Sequence, residues 1–166
     1  MTVLKHKKQE IVNDMKECIS RFGLPVIDEI NADDKYMIIS KFQYQYYGFG
    51  IAAVYHPEGD LAEIKIVYGM APEDKIKPLY ELMNHINSHI MTGHFSLLHE
   101  NGEVSFRAAV HVPDSLKKEE FEWTLGQVMA ASYKFFPMIG EQLFTDGDPK
   151  DILEKHLSQD PVEVDS

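Results

Sequence analysis

Apolar residues recur at helical spacing from the start of the chain. Leu4, Ile11, Met15, Cys18, Ile19 and Phe22 share one side, and Gly23 followed by Pro25 supplies a stop. This predicts a helix of roughly four to five turns. The period then shortens to two. Runs at Val26–Ile30, Tyr36–Tyr44, Tyr47–Tyr55 and Leu61–Tyr68 are separated by Asn31-Ala32-Asp33-Asp34, by Gln45-Tyr46 and by His56-Pro57-Glu58-Gly59-Asp60. Alternation is clear in Tyr36, Ile38, Phe42, Tyr44 and in Ile64, Ile66, Tyr68, so the four runs read as an antiparallel meander.

Helical spacing returns at Pro72, with Ile76, Leu79, Tyr80, Met83, Ile86 and Ile90 on one face and Gly93 as the close. Pro78 means that the helix either starts near that residue or has a kinked first turn. Next, Leu97-Leu98-His99-Glu100 and Glu103-Val104 flank Asn101-Gly102, a hairpin signal of the type I′ kind. A two-residue loop places Glu100 opposite Glu103, Leu97 opposite Phe106 and Phe95 opposite Ala108. Phe95, Leu97, Val104, Phe106, Ala108 and Val110 then form a core face. Ser96, Leu98, Ser105, Arg107 and His111 form the other.

Asp114 or Ser115 is the expected cap of a third helix, whose core stripe is Phe121, Leu125, Val128, Met129, Ser132, Phe135 and Phe136. Opposite it runs a second stripe, Trp123, Gly126, Ala130, Tyr133 and Pro137, with small residues between aromatic ones at heptad-like spacing. The only tryptophan of the chain would not ordinarily face water, so something is expected to cover it. Two covers are open: a short helix at Asp151–Leu157 folding back through Ile152, Leu153 and Leu157, or a second copy of the protein. Thr145-Asp146-Gly147-Asp148-Pro149 is a turn, and the acidic stretch 158–166 reads as a disordered tail after a single domain at 1–157.

Charge narrows the partners. With 16 Lys and Arg against 27 Asp and Glu the net charge is −11, and no basic cluster offsets it for a nucleic-acid backbone. One cysteine excludes an internal disulfide, and no apolar run approaches the ~20 residues of a membrane span. The expected compartment is the cytoplasm.

The chemical motifs are incomplete. His85 and His89 are four apart on a helix, but Ile86 stands where a zinc peptidase needs its glutamate base. No nucleophile elbow is present, and Cys18 lies on an apolar helix face where its pKa would rise. Gly48-Phe49-Gly50 leads into a strand rather than a helix, and Asp146-Gly147-Asp148 lacks the ligand ladder of a calcium loop. No catalytic residue, cofactor or metal site is therefore expected. The aromatic strip Tyr36, Phe42, Tyr44, Tyr46, Tyr47, Phe49 and Tyr55 suits a sheet core. Its tyrosines Tyr44, Tyr46, Tyr47 and Tyr55 would equally serve as a partner surface.

Four segments carry a family likeness: Asn84-His85-Ile86-Asn87, Thr92-Gly93-His94-Phe95, Glu103-Val104-Ser105-Phe106-Arg107, and the late apolar helix ending Phe135-Phe136-Pro137. Through them the chain resembles the bacterial YbjN-domain family, labelled a sensory transduction regulator, which shares a fold with type III secretion chaperones. The detailed likeness covers residues 72–140, and the first 70 residues agree in element order alone. The resemblance implies a non-enzymatic, dimeric module that binds protein, and it brings no catalytic set. The expected architecture is α+β, an antiparallel sheet packed against helices in the order α-β-β-β-β-α-β-β-α. A second reading, a small-ligand binder or enzyme, would draw on the Tyr-rich sheet and the histidines.

Overall fold

A computed structural model describes residues 2–32, 34–44 and 47–158, with side chains described from Lys7 onward except at Tyr44 and Tyr47. Helix α1 (Thr2–Arg21) leads into strands β1 (Val26–Asn31), β2 (Tyr36–Tyr44), β3 (Tyr47–His56) and β4 (Leu61–Met70). A 3-10 turn at Glu73–Lys75 opens α2 (Ile76–Asn87). Strands β5 (His94–Leu98) and β6 (Glu103–His111) follow, then α3 (Lys118–Phe144) and α4 (Pro149–Ser158). The expected element order holds, and the short helix offered at Asp151–Leu157 is present as α4. Gly23, at φ +70°, stops α1, and the Leu24 N–H returns to the Ile19 carbonyl at 3.2 Å.

The strands form one six-stranded sheet in the order β1-β2-β3-β4-β6-β5, every neighbouring pair antiparallel. Strict alternation puts Ile38, Phe42, Phe49, Ile51, Ala53, Ile64, Ile66, Phe95 and Phe106 on one face, all buried in a single core. Helix α3 lies across that face: Phe136 meets Phe49 at 4.7 Å, Tyr133 meets Phe42 at 5.6 Å, and Phe135 meets Phe95 at 6.1 Å between ring centres. A bulge in β4 adds Tyr68 as an extra residue before Gly69, which sits at φ +142°. The Tyr68 hydroxyl thereby reaches inward and donates to Ser132 Oγ at 2.6 Å. Burial pushes that phenol's pKa far up, so it stays a neutral donor.

The observed register corrects the hairpin. Leu97 pairs with Val104 and Phe95 with Phe106, so the loop is His99-Glu100-Asn101-Gly102 rather than Asn101-Gly102 alone. Of the two residues only Gly102 has positive φ, at +73°, while the Asn101 carboxamide oxygen accepts the Glu103 N–H at 3.0 Å. Tertiary contact decided this. The Ala71 N–H donates to the Gly102 carbonyl at 2.7 Å, and a Cβ on Gly102 would stand 2.5 Å from the Ala71 carbonyl oxygen. Because the register moved by two residues, every side chain kept its expected face.

Helix termini needed smaller corrections. α2 begins at Ile76 and holds Pro78 in its first turn, where no backbone N–H is required. It ends at Asn87, six residues before Gly93. Gly93 instead opens β5, where a Cβ would stand 2.6 Å from the Arg107 carbonyl. Leu82 joins the buried face of α2, whereas Tyr80 is 45% exposed. Neither Asp114 nor Ser115 caps α3, whose N-cap is Lys117 with no side-chain bond. α3 continues through Pro137 to Phe144, and α4 is capped by Asp148, whose carboxylate accepts the Lys150 N–H at 2.9 Å. The expected tail starts at Ser158, which is the last residue of α4; residues 159–166 lie outside the described residues.

Candidate functional site: an apolar surface beside an open strand edge

Helix α3 spans roughly 40 Å at 1.5 Å per residue. Its start is tied to α1 by charge: Lys118 lies 2.9 Å from Asp14 and 2.7 Å from Glu17, and Arg21 lies 3.1 Å from Glu122. Hydrogen bonds to the two carboxylates push the Lys118 pKa up to about 12. These pairs tie the start of α3 to α1, while its buried face, Phe121, Leu125, Val128 and Phe135 among others, packs on the core.

The structure divides that stripe. Trp123, Ala130 and Pro137, seven residues apart, are exposed, Trp123 to 56%. Gly126 and Tyr133 lean toward α1 and the sheet. A Cβ on Gly126 would lie 3.7 Å from the Phe22 ring, and Tyr133 is half-buried against Phe42. The same spacing continues to Gly140 and to Phe144, which is 89% exposed. The stripe read from the sequence ends at Pro137.

Of the two covers considered, α4 does not serve. Its buried Ile152 and Leu153 pack beside α2 and the last turn of α3. Lys155 and His156 hold Glu141 at 2.8 and 2.7 Å, keeping its carboxyl pKa below the usual range. Among the described residues Trp123, Ala130 and Pro137 stay exposed.

Tyr133, Met129 and Phe22 also line a cleft of roughly 750 Å³ between the end of α1, the β1–β2 strands and α3. Ile27 and Ile39 complete its apolar wall, and Gly48 and Gly50 keep its sheet side low. The cleft borders β1, an edge strand exposed at all six residues, including Val26, Ile27 and Ile30. Ile27 sits at a bulge between Val26 and Asp28. None of these β1 residues was a sequence candidate. Edge position depends on strand order, which a local pattern does not encode.

The second candidate surface is corrected in part. Tyr55 is 2% exposed and belongs to the core, paired with Tyr36 across β2 and β3. Tyr46 lies outside the described residues, as do the side chains of Tyr44 and Tyr47. The histidines are dispersed, with His85 on α2, His94 on β5 and His111 at the end of β6. Among the described residues no three His, Cys, Asp or Glu side chains could share a metal ion. His56 and Arg107 instead flank Glu63 on the outer sheet face, at 3.3 and 2.6 Å. Cys18 is fully buried, and burial pushes its thiol pKa up to about 12. No described helix is long and apolar enough to cross a membrane.

An antiparallel sheet with one helix-covered face, closed along one edge by α2 and open along the other, is an α+β fold of the secretion-chaperone-like class. The solved complex of ExsC with ExsE is similar in fold, with a TM-score of 0.53, 16% identity, and coverage of 76% of this chain and 91% of that one. A solved YbjN from E. coli, described as "a putative transcription regulator", gives a TM-score of 0.44 at 12% identity, covering 89% of this chain and 93% of that one. No curated protein matches. The family model described as "Putative bacterial sensory transduction regulator" matches residues 16–141, and the chain belongs to this YbjN family.

Proposed function

We propose that this chain is a non-enzymatic, cytoplasmic protein-binding module, chaperone-like or regulatory, that works as a homodimer. The observation carrying this reading is one continuous apolar surface. The outer stripe of α3 runs through Tyr133 and Phe22 into the cleft beside β1. Large exposed apolar patches mark interaction surfaces, and tryptophan and tyrosine are the residues most often found as anchors there. The small, exposed Ala130 lets a partner backbone come close to α3. The unpaired edge of β1 offers main-chain donors and acceptors to an extended segment.

Other observations support the non-enzymatic part. The one thiol is buried with a raised pKa, and the histidines lie on separate elements. A lone cysteine without a partner also suits a reducing compartment. The similar ExsC, solved in a complex with ExsE, is in keeping with a fold that holds another polypeptide.

Ala130→Glu tests the dimer. The change puts a like charge across a two-fold axis while leaving the core stripe intact. Light scattering should give a dimer for the wild type at high micromolar concentration and a folded monomer for the variant. A monomeric wild type removes the dimer from the proposal, and a dimer that survives the substitution moves its interface off α3.

A further inference from the structure

Seven-residue spacing along the outside of α3 runs past Pro137 to the end of the helix. Trp123, Ala130, Pro137 and Phe144 all lie exposed among the described residues, Trp123 to 56% and Phe144 to 89%. Phe144 is the last residue of α3. At 1.5 Å per residue the four positions span roughly 32 Å. In a straight helix such a row drifts by about 20° per heptad, which a partner helix follows by crossing at about 20°.

By size the row reads large, small, small, large, the same in either direction. A second α3 laid antiparallel therefore sets Trp123 against the partner's Phe144 and Ala130 against the partner's Pro137. A two-fold axis repeats both contacts, so the aromatics at the two ends are covered and the small residues between them let the helices approach. Covering Trp123 and Phe144 removes on the order of 300 Å² per copy from water, given the 150–250 Å² an aromatic side chain buries. Two residues thus supply more than a third of the ~800 Å² that each partner contributes to a specific interface.

A parallel pair would match the row equally well by size, so charge chooses between the two. Helix α3 carries Glu119 and Glu120 in its first turn, both exposed, and no basic residue in its last turn. Parallel copies bring these four carboxylates together and align two helix dipoles. Antiparallel copies send the glutamates to opposite ends of the row. There Asp146 is paired with Lys75 at 2.7 Å, and Asp148 accepts N–H groups of α4. We infer that α3 pairs antiparallel with α3 of a second copy, Trp123 of each protomer seated on the partner's Phe144. This rests on the homodimer proposed above and adds its orientation and a second aromatic anchor.

Cysteine cross-linking on the full chain reads the orientation. Cys18 is buried with its thiol pKa pushed up to about 12, so the native thiol does not compete. Trp123→Cys and Phe144→Cys, mixed, left to exchange subunits and oxidised, should form a covalent dimer, and neither variant should form one alone. The mixed dimer keeps one intact aromatic contact at the other end of the row. Phe144→Ala should leave the urea midpoint unchanged and weaken dimerisation at least about tenfold in light scattering. Self-cross-linking of Trp123→Cys overturns the inference, since only a parallel pair brings those positions together. It is also overturned by a mixture that is dimeric in light scattering yet stays uncross-linked, or by Phe144→Ala dissociating within about twofold of the wild type. In each of these cases the homodimer stands and only its geometry falls. A wild type that is monomeric at high micromolar concentration overturns both, and the row is then the seat of a different protein.

Discussion

The two edges of the sheet are treated in opposite ways. At β5 the free backbone groups are met by side chains of α2. The Asn87 carboxamide accepts the Phe95 N–H at 2.7 Å and donates to the Phe95 carbonyl at 3.0 Å, and the Tyr80 hydroxyl donates to the Leu97 carbonyl at 2.8 Å. One asparagine thus imitates a neighbouring strand. At β1 no described helix takes that place. The strand is short, bulged at Ile27 and acidic at Asp28 and Glu29, devices that discourage uncontrolled pairing while leaving the edge reachable. An edge sealed by specific hydrogen bonds serves stability; an edge left open beside an apolar cleft is the one within reach of the partner proposed above.

The comparison breaks most severely at Gly102. Gly102→Val places a β-branched side chain at φ +73° with its Cβ against the Ala71 carbonyl, so the β5–β6 hairpin cannot stay seated. A loss of about 3 kcal/mol or more is expected in denaturant unfolding. Asn101→Ala removes a single exposed side-chain bond and should cost well under ~1 kcal/mol, in contrast to a true type I′ turn, in which both residues matter.

Asn87→Ala opens the sealed edge directly. It strips both bonds from Phe95, in a part-buried setting, and should cost about 2 kcal/mol. Hydrogen exchange of the Phe95 amide should accelerate to the rates found for outward-facing amides of β1. A variant whose Phe95 amide remains protected would show that α2 packing, rather than the carboxamide, seals the edge.

Next comes Glu63, which braces the β4–β6 half of the sheet through Arg107. Burial raises its pKa, but the hydrogen bond and charge of Arg107, helped by His56, outweigh that and hold it below the usual value. A depressed folded-state pKa contributes stability above the unfolded value of about 4.3, lost as pH falls through the lower folded value. In Glu63→Gln that part of the acid slope should vanish, with about 1–2 kcal/mol lost at pH 7. Urea midpoints measured from pH 7 to pH 2 give both quantities.

The smallest effect belongs to the open edge. Ile27→Lys lies on a bulged residue that is 54% exposed, so stability should change by less than about 0.5 kcal/mol. A cost comparable to Asn87→Ala, seen as a shifted melting temperature, would mean that β1 is as firmly built in as β5.

Periodicity alone determined most of the architecture. The β2 boundaries, the starts of β1, β3 and β4, both faces of the β5–β6 hairpin and the core stripe of α3 follow from which positions are apolar, because burial rewards the same pattern in any tertiary setting. The exposure of Trp123, Ala130 and Pro137 follows from the same period, whereas Gly126 and Tyr133 turn toward α1 and the sheet. What required the tertiary structure was whatever depends on a distant neighbour. Gly102 closes a four-residue loop because Ala71 docks on it, and the last residue of α2, Asn87, serves Phe95 across the fold. Likewise β1 is the open edge because of the strand order, and Tyr55 stands in the core rather than on a surface. Each is set by contacts far apart along the chain, and a pattern that reads only a residue's nearest neighbours carries no information about them.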